Sequence, residues 1–188
     1  MMQEYLKSFG VLTEEEITEF KNLAVKRSLK KDDYFIKEGS ICKEIAFVIF
    51  GFFRSFYHSS SLEEVTYCFT FSNTFISAYS SFISQNSTIE NIQALTDVEL
   101  LVIQKKDILK LENSSNNWLR LFKMIAEQEY INMENRIFML QRENAEIKYQ
   151  DLLKNQPEYL QKIPLNFLSS YLGITQRHLS RIRKSISN

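Results

Sequence analysis

Gln176, Arg177, Ser180, Arg181, Arg183 and Lys184 gather amide, hydroxyl and cationic side chains into one short stretch. Arg and Gln are the residue types that pair bidentately with the edges of guanine and adenine in the major groove. Arg and Lys also meet phosphate oxygens, which positions a protein on a duplex without reading its sequence. The chemistry available is therefore recognition of a nucleic acid. From spacing alone, the plain alternative is a helical hairpin with a solvated basic face.

These side chains need a scaffold, and the residues before them supply one. Leu165, Leu168 and Leu172 fall at helical spacing behind Pro164, which suits the first position of a helix. Gly173 follows at once, where a chain leaving a helix often needs a left-handed residue. Thr175 is placed to cap a second helix, in which Leu179 and Ile182 form a narrow apolar side. Two short helices around a tight turn predict a helix-turn-helix, with Gln176, Arg177, Ser180, Arg181, Arg183 and Lys184 on the side that would face DNA.

The charge distribution agrees. The 188-residue chain is neutral overall, but residues 1–103 carry 9 Lys/Arg against 14 Asp/Glu, and residues 104–188 carry 14 against 9. No acidic residue follows Glu158. A front half unlike a polyanion-binding back half fits this asymmetry. Apolar residues make up 44% of the chain, enough for a core. The start, Met-Met-Gln-Glu-Tyr-Leu-Lys, lacks the pattern of a signal peptide, and no apolar run approaches the roughly 20 residues of a membrane helix. A cytoplasmic protein with no membrane association is expected. Cys42 and Cys68 form neither a metal spacing nor a disulfide framework, and read as small core hydrophobes.

Thr13 before Glu14, Glu15 and Glu16 predicts a capped helix to about Ala24, with Ile17, Phe20 and Leu23 inward. From Ser28 to Ile103 short β runs follow: Tyr34–Ile36, Glu44–Phe50, Phe52–Tyr57, Val65–Phe71, Phe75–Ile76, Ile89–Leu95 and Val98–Ile103. His58–Glu63 reads as a polar loop. Such a series predicts an antiparallel barrel or jelly roll. A short helix over Lys105–Leu111 precedes a long one from about Trp118 to Leu140. Leu119, Phe122, Ala126, Met133, Ile137 and Leu140 form one apolar stripe on it, and Trp118, Leu121 and Ile125 a second. One stripe would lie on the roll and the other, containing Leu119 to Leu140, on a matching helix in a second subunit. Glu143–Lys154 is a further helix, ended by Pro157.

This order of parts resembles the Crp/Fnr family of transcription regulators, relatives of the cyclic-AMP receptor protein. The resemblance is carried by Phe35-Ile-Lys-Glu-Gly39 with Ile45-Ala-Phe-Val-Ile-Phe-Gly51, and by Tyr171-Leu-Gly-Ile-Thr175 through Leu179-Ser-Arg-Ile-Arg183. It implies a fold of the α+β class: an N-terminal antiparallel β-roll (jelly roll) with flanking helices over residues 1–115, a long dimerisation helix over 116–141, and a helix-turn-helix over 142–188. It also implies a homodimer on double-stranded DNA, with an unidentified small-molecule effector and RNA polymerase as further partners. No catalytic residue, resident cofactor or metal is expected.

The family's nucleotide site departs from its pattern here. Ser77 and Ala78 stand where a Gly-Glu pair opens the family's phosphate cassette, and Thr88 and Ile89 stand where an Arg-Ser or Arg-Thr pair closes it. No Lys or Arg occurs between Arg54 and Lys105. A phosphate buried without a cation would be badly desolvated. Tight binding of cyclic AMP or cyclic GMP is therefore not expected. The degenerate pocket around Ser77, Ala78, Tyr79, Thr88 and Ile89 would stay empty or take a neutral, less polar molecule. Two isolated cysteines do not suit an iron–sulfur cluster. One histidine in the roll, His58, suits neither haem nor a cupin-type metal site. The resemblance places Thr175, Gln176, Arg177 and Arg181 on the DNA-contacting face of the family's recognition helix; Arg177 stands where many members have glutamate, so guanine is the expected base there. No C-terminal wing of the family's kind is expected, and the strands before the helix pair are expected to be reduced to Tyr159–Ile163 at most. Weaker, more salt-sensitive contact by each half is expected. The competing reading is a ligand-binding or protein-interaction module that no longer reads DNA.

Overall fold

The computed structural model describes residues 1–186, and the chain resolves into two compact units. The first comprises Met1–His58 and Cys68–Ala126, the second Ser59–Tyr67 and Glu127–Asn188.

The first unit is a roll of two antiparallel sheets. Its strands are β1 (Val25–Leu29), β2 (Tyr34–Ile36), β3 (Glu44–Phe50), β4 (Phe53–His58), β5 (Glu64–Thr70, whose first four residues fall in the second unit), β6 (Phe75–Ile76), β7 (Glu90–Ala94) and β8 (Val98–Gln104). One sheet has the order β1-β8-β3-β6, the other β2-β7-β4-β5. Ile45 faces Ile103 and Phe47 faces Leu101 in the first; Phe53 faces Ala94 and Ser55 faces Ile92 in the second. Apolar residues from both sheets, among them Ala46, Phe47, Val48, Phe53, Ile92, Ala94 and Leu100, make one core.

Helices close that core. α1 (Met2–Ser8) buries Met2 and Leu6, and was not foreseen, because seven residues are too few to establish a period. α2 (Glu14–Leu23) begins as expected. Thr13 Oγ1 accepts from the Glu16 amide at 3.3 Å and the Glu16 carboxylate accepts from the Thr13 amide at 2.8 Å. Ile17 and Phe20 turn inward, and Phe20 stacks on Trp118 with ring centroids 5.4 Å apart. Each such fully buried ring contributes on the order of 2–3 kcal/mol of hydrophobic stabilisation. α3 (Tyr79–Ser84) lies between β6 and β7, and α4 (Lys105–Ser114) follows β8, running three residues beyond the expected Leu111.

Two glycines hold the turns that the sequence pattern assigned them. Gly39 and Gly51 have φ of +83° and +84°. At Gly51 a Cβ would stand 2.5 Å from Val98 Cγ1 and collide with the Asp97 carbonyl, so only glycine fits.

α5 (Asn116–Arg142) runs through both units. Its first part belongs to the roll, where Trp118 and Leu121 are completely buried. The second unit contains the rest of α5 with α6 (Ala145–Asn155), α7 (Pro157–Lys162), α8 (Leu165–Leu172) and α9 (Gln176–Ile186). Asn144 caps α6, accepting from the amides of Glu146 and Ile147 at 3.0 Å each. Tyr149, Leu152, Tyr159, Leu168, Leu172, Leu179 and Ile182 are among its buried residues.

Three expectations need correction. The residual strand at Tyr159–Ile163 is helical instead: Pro157 takes the first position of α7, Glu158 sits in the first turn and Lys162 in the last, 3.3 Å from Glu158. Pro164 is the N-cap of α8, with Leu165 as its first helical residue. The roll starts at Val25, because Val25–Leu29 pairs along β8 despite a sequence, Val-Lys-Arg-Ser-Leu, without strong apolar alternation.

Candidate nucleic-acid interface

The α8–α9 pair is fixed from inside. Leu168, Leu172, Leu179 and Ile182 are buried in its interior. Gly173, at φ +69°, ends α8 in a left-handed cap: its amide donates to Ser170 O at 3.1 Å, and the Ile174 amide donates to Ser169 O at 3.0 Å. Thr175 then caps α9 as expected, its Oγ1 accepting from the His178 amide at 3.2 Å.

Side chains on α9 advance by about 100° per residue. Leu179 and Ile182 therefore define one side, and Arg177, Ser180, Arg181 and Lys184 cluster on the opposite one. Gln176 and Arg183 flank this face on one edge and His178 on the other. Thr175, Gln176, Arg177, His178, Arg181, Arg183 and Lys184 are exposed, and Ser180 is half-buried. His178 is an addition to the set read from sequence. Its place in the first turn of α9 could have been inferred from the Thr175 cap.

Two further contacts hold this pair within its unit. The Ser170 hydroxyl accepts from the Thr66 amide at 2.9 Å and donates to Glu64 O at 3.1 Å. The first residues of β5 are thus held against α8 within the second unit. From α5, Arg136 stacks its guanidinium 3.7 Å from the Tyr171 ring centroid and donates from Nη2 to the Tyr171 carbonyl.

The C-terminal half of α5 exposes an apolar row. Tyr130 is 66% exposed, Met133 64% and Ile137 47%. Leu119, Ala126 and Leu140 are exposed too. Ala126, Tyr130, Met133, Ile137 and Leu140 alternate steps of four and three, the spacing of a coiled-coil seam. Tyr130 was missed in the sequence reading, although its spacing marks it. Phe122 departs from the expected stripe. It is half-buried in the roll, stacked on Trp118 at 5.8 Å.

In the roll, the stretch corresponding to a phosphate cassette is already tied up. The Ser77 hydroxyl donates to Glu44 O at 3.0 Å, and Thr88 Oγ1 accepts from the Glu90 amide at 3.1 Å. Ala78 is fully buried as the N-cap of α3, Tyr79 stacks on Phe82 at 6.1 Å, and Ile89 is 73% exposed. Ser81 and Gln85 bind α3 to Cys42: Ser81 Oγ accepts from the Cys42 amide at 2.9 Å, and Gln85 Nε2 donates to Cys42 O at 3.0 Å. Lys105, the first cation after Arg54, caps the C-terminal end of α3, donating to the carbonyls of Phe82 and Ile83. Arg54 is buried, its guanidinium 4.2 Å from the Phe56 ring centroid. Because its neighbour Phe53 points into the core, Arg54 points to the other face of the sheet. Burial pushes the Glu90 carboxyl up to about 7.

Among the described residues no group of three or more His, Cys, Asp or Glu is placed to hold a metal ion, and no helix is long and apolar enough to cross a membrane. Cys42 is buried and Cys68 half-buried, both as free thiols. His58 ends β4 rather than opening a loop, with Nδ1 2.9 Å from the Glu38 carboxylate.

Residues 26–115 match the family model of the cyclic nucleotide-binding domain. No curated protein matches the sequence. Among solved structures, the chain is similar to FixK2 from Bradyrhizobium japonicum, at 17% identity and a TM-score of 0.76, covering 87% of this chain and 84% of that one. It is similar to the c-di-GMP-responsive global regulator CLP from Xanthomonas campestris, at 16% identity and a TM-score of 0.73, covering 93% and 92%. A transcriptional regulator assigned to the Crp/Fnr family from Eubacterium rectale gives 15% identity and a TM-score of 0.73, covering 98% and 88%.

Proposed function

The chain has the fold of the Crp/Fnr transcription regulators over nearly its whole length, and from that premise we propose that it is a DNA-binding transcription regulator acting as a homodimer on a two-fold-symmetric site. The observation that carries this reading is the exposed face of Arg177, Ser180, Arg181 and Lys184, set opposite the buried Leu179 and Ile182. A face of this kind presents bidentate donors to a major groove while its helix stays anchored in the unit behind. Arg177 and Arg181 read bases, with guanine preferred; Arg183 and Lys184 meet phosphates; Thr175 and Gln176 lie at the N-terminal entry to the groove. The seam of Ala126, Tyr130, Met133, Ile137 and Leu140 pairs the subunits, and the division into roll, dimerisation helix and reader follows from it.

The roll acts without cyclic AMP or cyclic GMP. Its two candidate hydroxyls, Ser77 and Thr88, are engaged with the backbone, and Lys105 serves the wrong end of α3 for an anion. Any effector here is neutral and apolar in part. No catalytic activity is expected.

Selection of random duplexes on the purified protein, without added ligand, tests the reading. A two-fold-symmetric site should be enriched. Substituting Arg177→Ala with Arg181→Ala should abolish the enrichment, at about 1–3 kcal/mol for each lost base contact. Affinity should fall steeply with salt. A wild-type protein that enriches no site, or a double variant that enriches the same one, refutes it.

A further inference from the structure

The last four carbonyls of a helix have no partner within it. In α8 these belong to Ser169, Ser170, Tyr171 and Leu172. The left-handed cap serves two: Ile174 donates to Ser169 and Gly173 to Ser170. The carbonyl of Tyr171 is the next in line, one residue further into the turn, and Arg136 donates to it from another helix. The same guanidinium lies over the ring of Tyr171, its Cζ 3.7 Å from the centroid. A cation at a helix C-terminus is favourable, and a stacked, charge-assisted contact is directional as well.

Arg136 lies between Met133 and Ile137, two residues of the exposed seam. Tyr171 lies two residues before Gly173, where the chain turns toward α9. A single side chain thus joins the helix that carries the seam to the turn that aims the basic face. Tyr171 also packs edge-on against Tyr159, with centroids 5.7 Å apart, which ties its ring to α7 as well.

We infer that Arg136 is a positioning residue: it sets the direction of α9 relative to the long helix, and through it the distance between the two reading faces of a dimer. This deepens the proposed function and rests on it for the dimer and the DNA. The residue touches no base. Its role is read in spacing, since dimeric readers of this kind address half-sites about one helical turn apart.

The test compares the wild type with Arg136→Met, which keeps the stem and removes the cation, and Arg136→Lys, which keeps the charge and removes the plane. Two measurements are made on the full chain: amide hydrogen exchange, and affinity for the selected duplex with its half-sites moved apart by one and two base pairs. In Arg136→Met, exchange at Gly173 and Ile174 should quicken roughly tenfold while Leu179 and Ile182 stay protected. Preference for the native spacing should collapse toward unity, with tightest binding weakened roughly tenfold. Arg136→Lys should restore part of the protection and less of the spacing preference. Wild-type exchange at 173 and 174 together with wild-type spacing preference in Arg136→Met overturns the inference. So does loss of protection at 179 and 182, which would make Arg136 a general support of the fold. A wild type that binds no duplex refutes the proposed function, while the exchange pattern still decides whether Arg136 holds the turn.

Discussion

Met133→Gln combined with Ile137→Gln isolates the seam from everything else the long helix does. Both side chains are largely exposed in one protomer, 64% and 47%, so the fold of that protomer should not depend on them. Glutamine is as good a helix former as methionine, and the helix itself is preserved. Fully burying a Met or Ile side chain is worth about 1.5–3 kcal/mol. Roughly half of that remains to be gained at each position, or about 1 kcal/mol. A two-fold axis counts each position twice. The pair of substitutions should therefore weaken dimerisation by about 4 kcal/mol, close to a thousandfold in the dissociation constant. Sedimentation equilibrium over a range of concentrations reads this directly. Melting of the dilute, dissociated protein should stay within a few degrees of the wild type. An unchanged dimer constant would refute the seam, and unfolding of the dilute variant would show that the protomer already needs these side chains.

Other predictions concern the roll. Glu90 titrates near 7 when folded and near its ordinary value, 4.5, when unfolded, so its contribution to stability is complete below the lower value and is lost as pH rises through the upper one. Glu90→Gln should accordingly raise the melting temperature at pH 8 more than at pH 5, and equal shifts at both would refute the burial of that carboxyl. Gly51→Ala should destabilise by about 2 kcal/mol or more, read in urea titrations, because a left-handed backbone and the contact with Val98 both oppose a Cβ. Cyclic AMP or cyclic GMP at about 1 mM should leave the melting temperature unchanged, and a rise of several degrees would overturn the account of the pocket.

The roll and the reader were legible for different reasons. The strands from β2 to β8 announce themselves by short apolar runs between turns, and Gly39 and Gly51 by the conformations that only glycine adopts readily. The reader is legible because Gly173, Thr175 and the pair Leu179 and Ile182 mark its turn, cap and buried side locally. α7 was misread because a five-residue window around Tyr159 and Ile163 has no period, and the first-turn signals lay at Pro157 and Glu158, just outside it. Tyr130 stands four residues after Ala126 and three before Met133, so its place in the seam was open to the sequence by spacing alone. Arg136 had no local signal: the carbonyl it caps is 35 residues away.

The contact of Ser170 with the hairpin has a consequence for solubility. β5 is the last strand of its sheet, and the Glu64 carbonyl and Thr66 amide belong to its open side. The edge of a sheet is in general a template on which another chain can add a strand. One hydroxyl, both donating and accepting, occupies two of the positions on this edge. The helix pair is therefore also a stopper for a sheet edge. A chain shortened to end before Leu165 should lose the stopper along with the reader, and associate edge to edge at concentrations where the full chain does not.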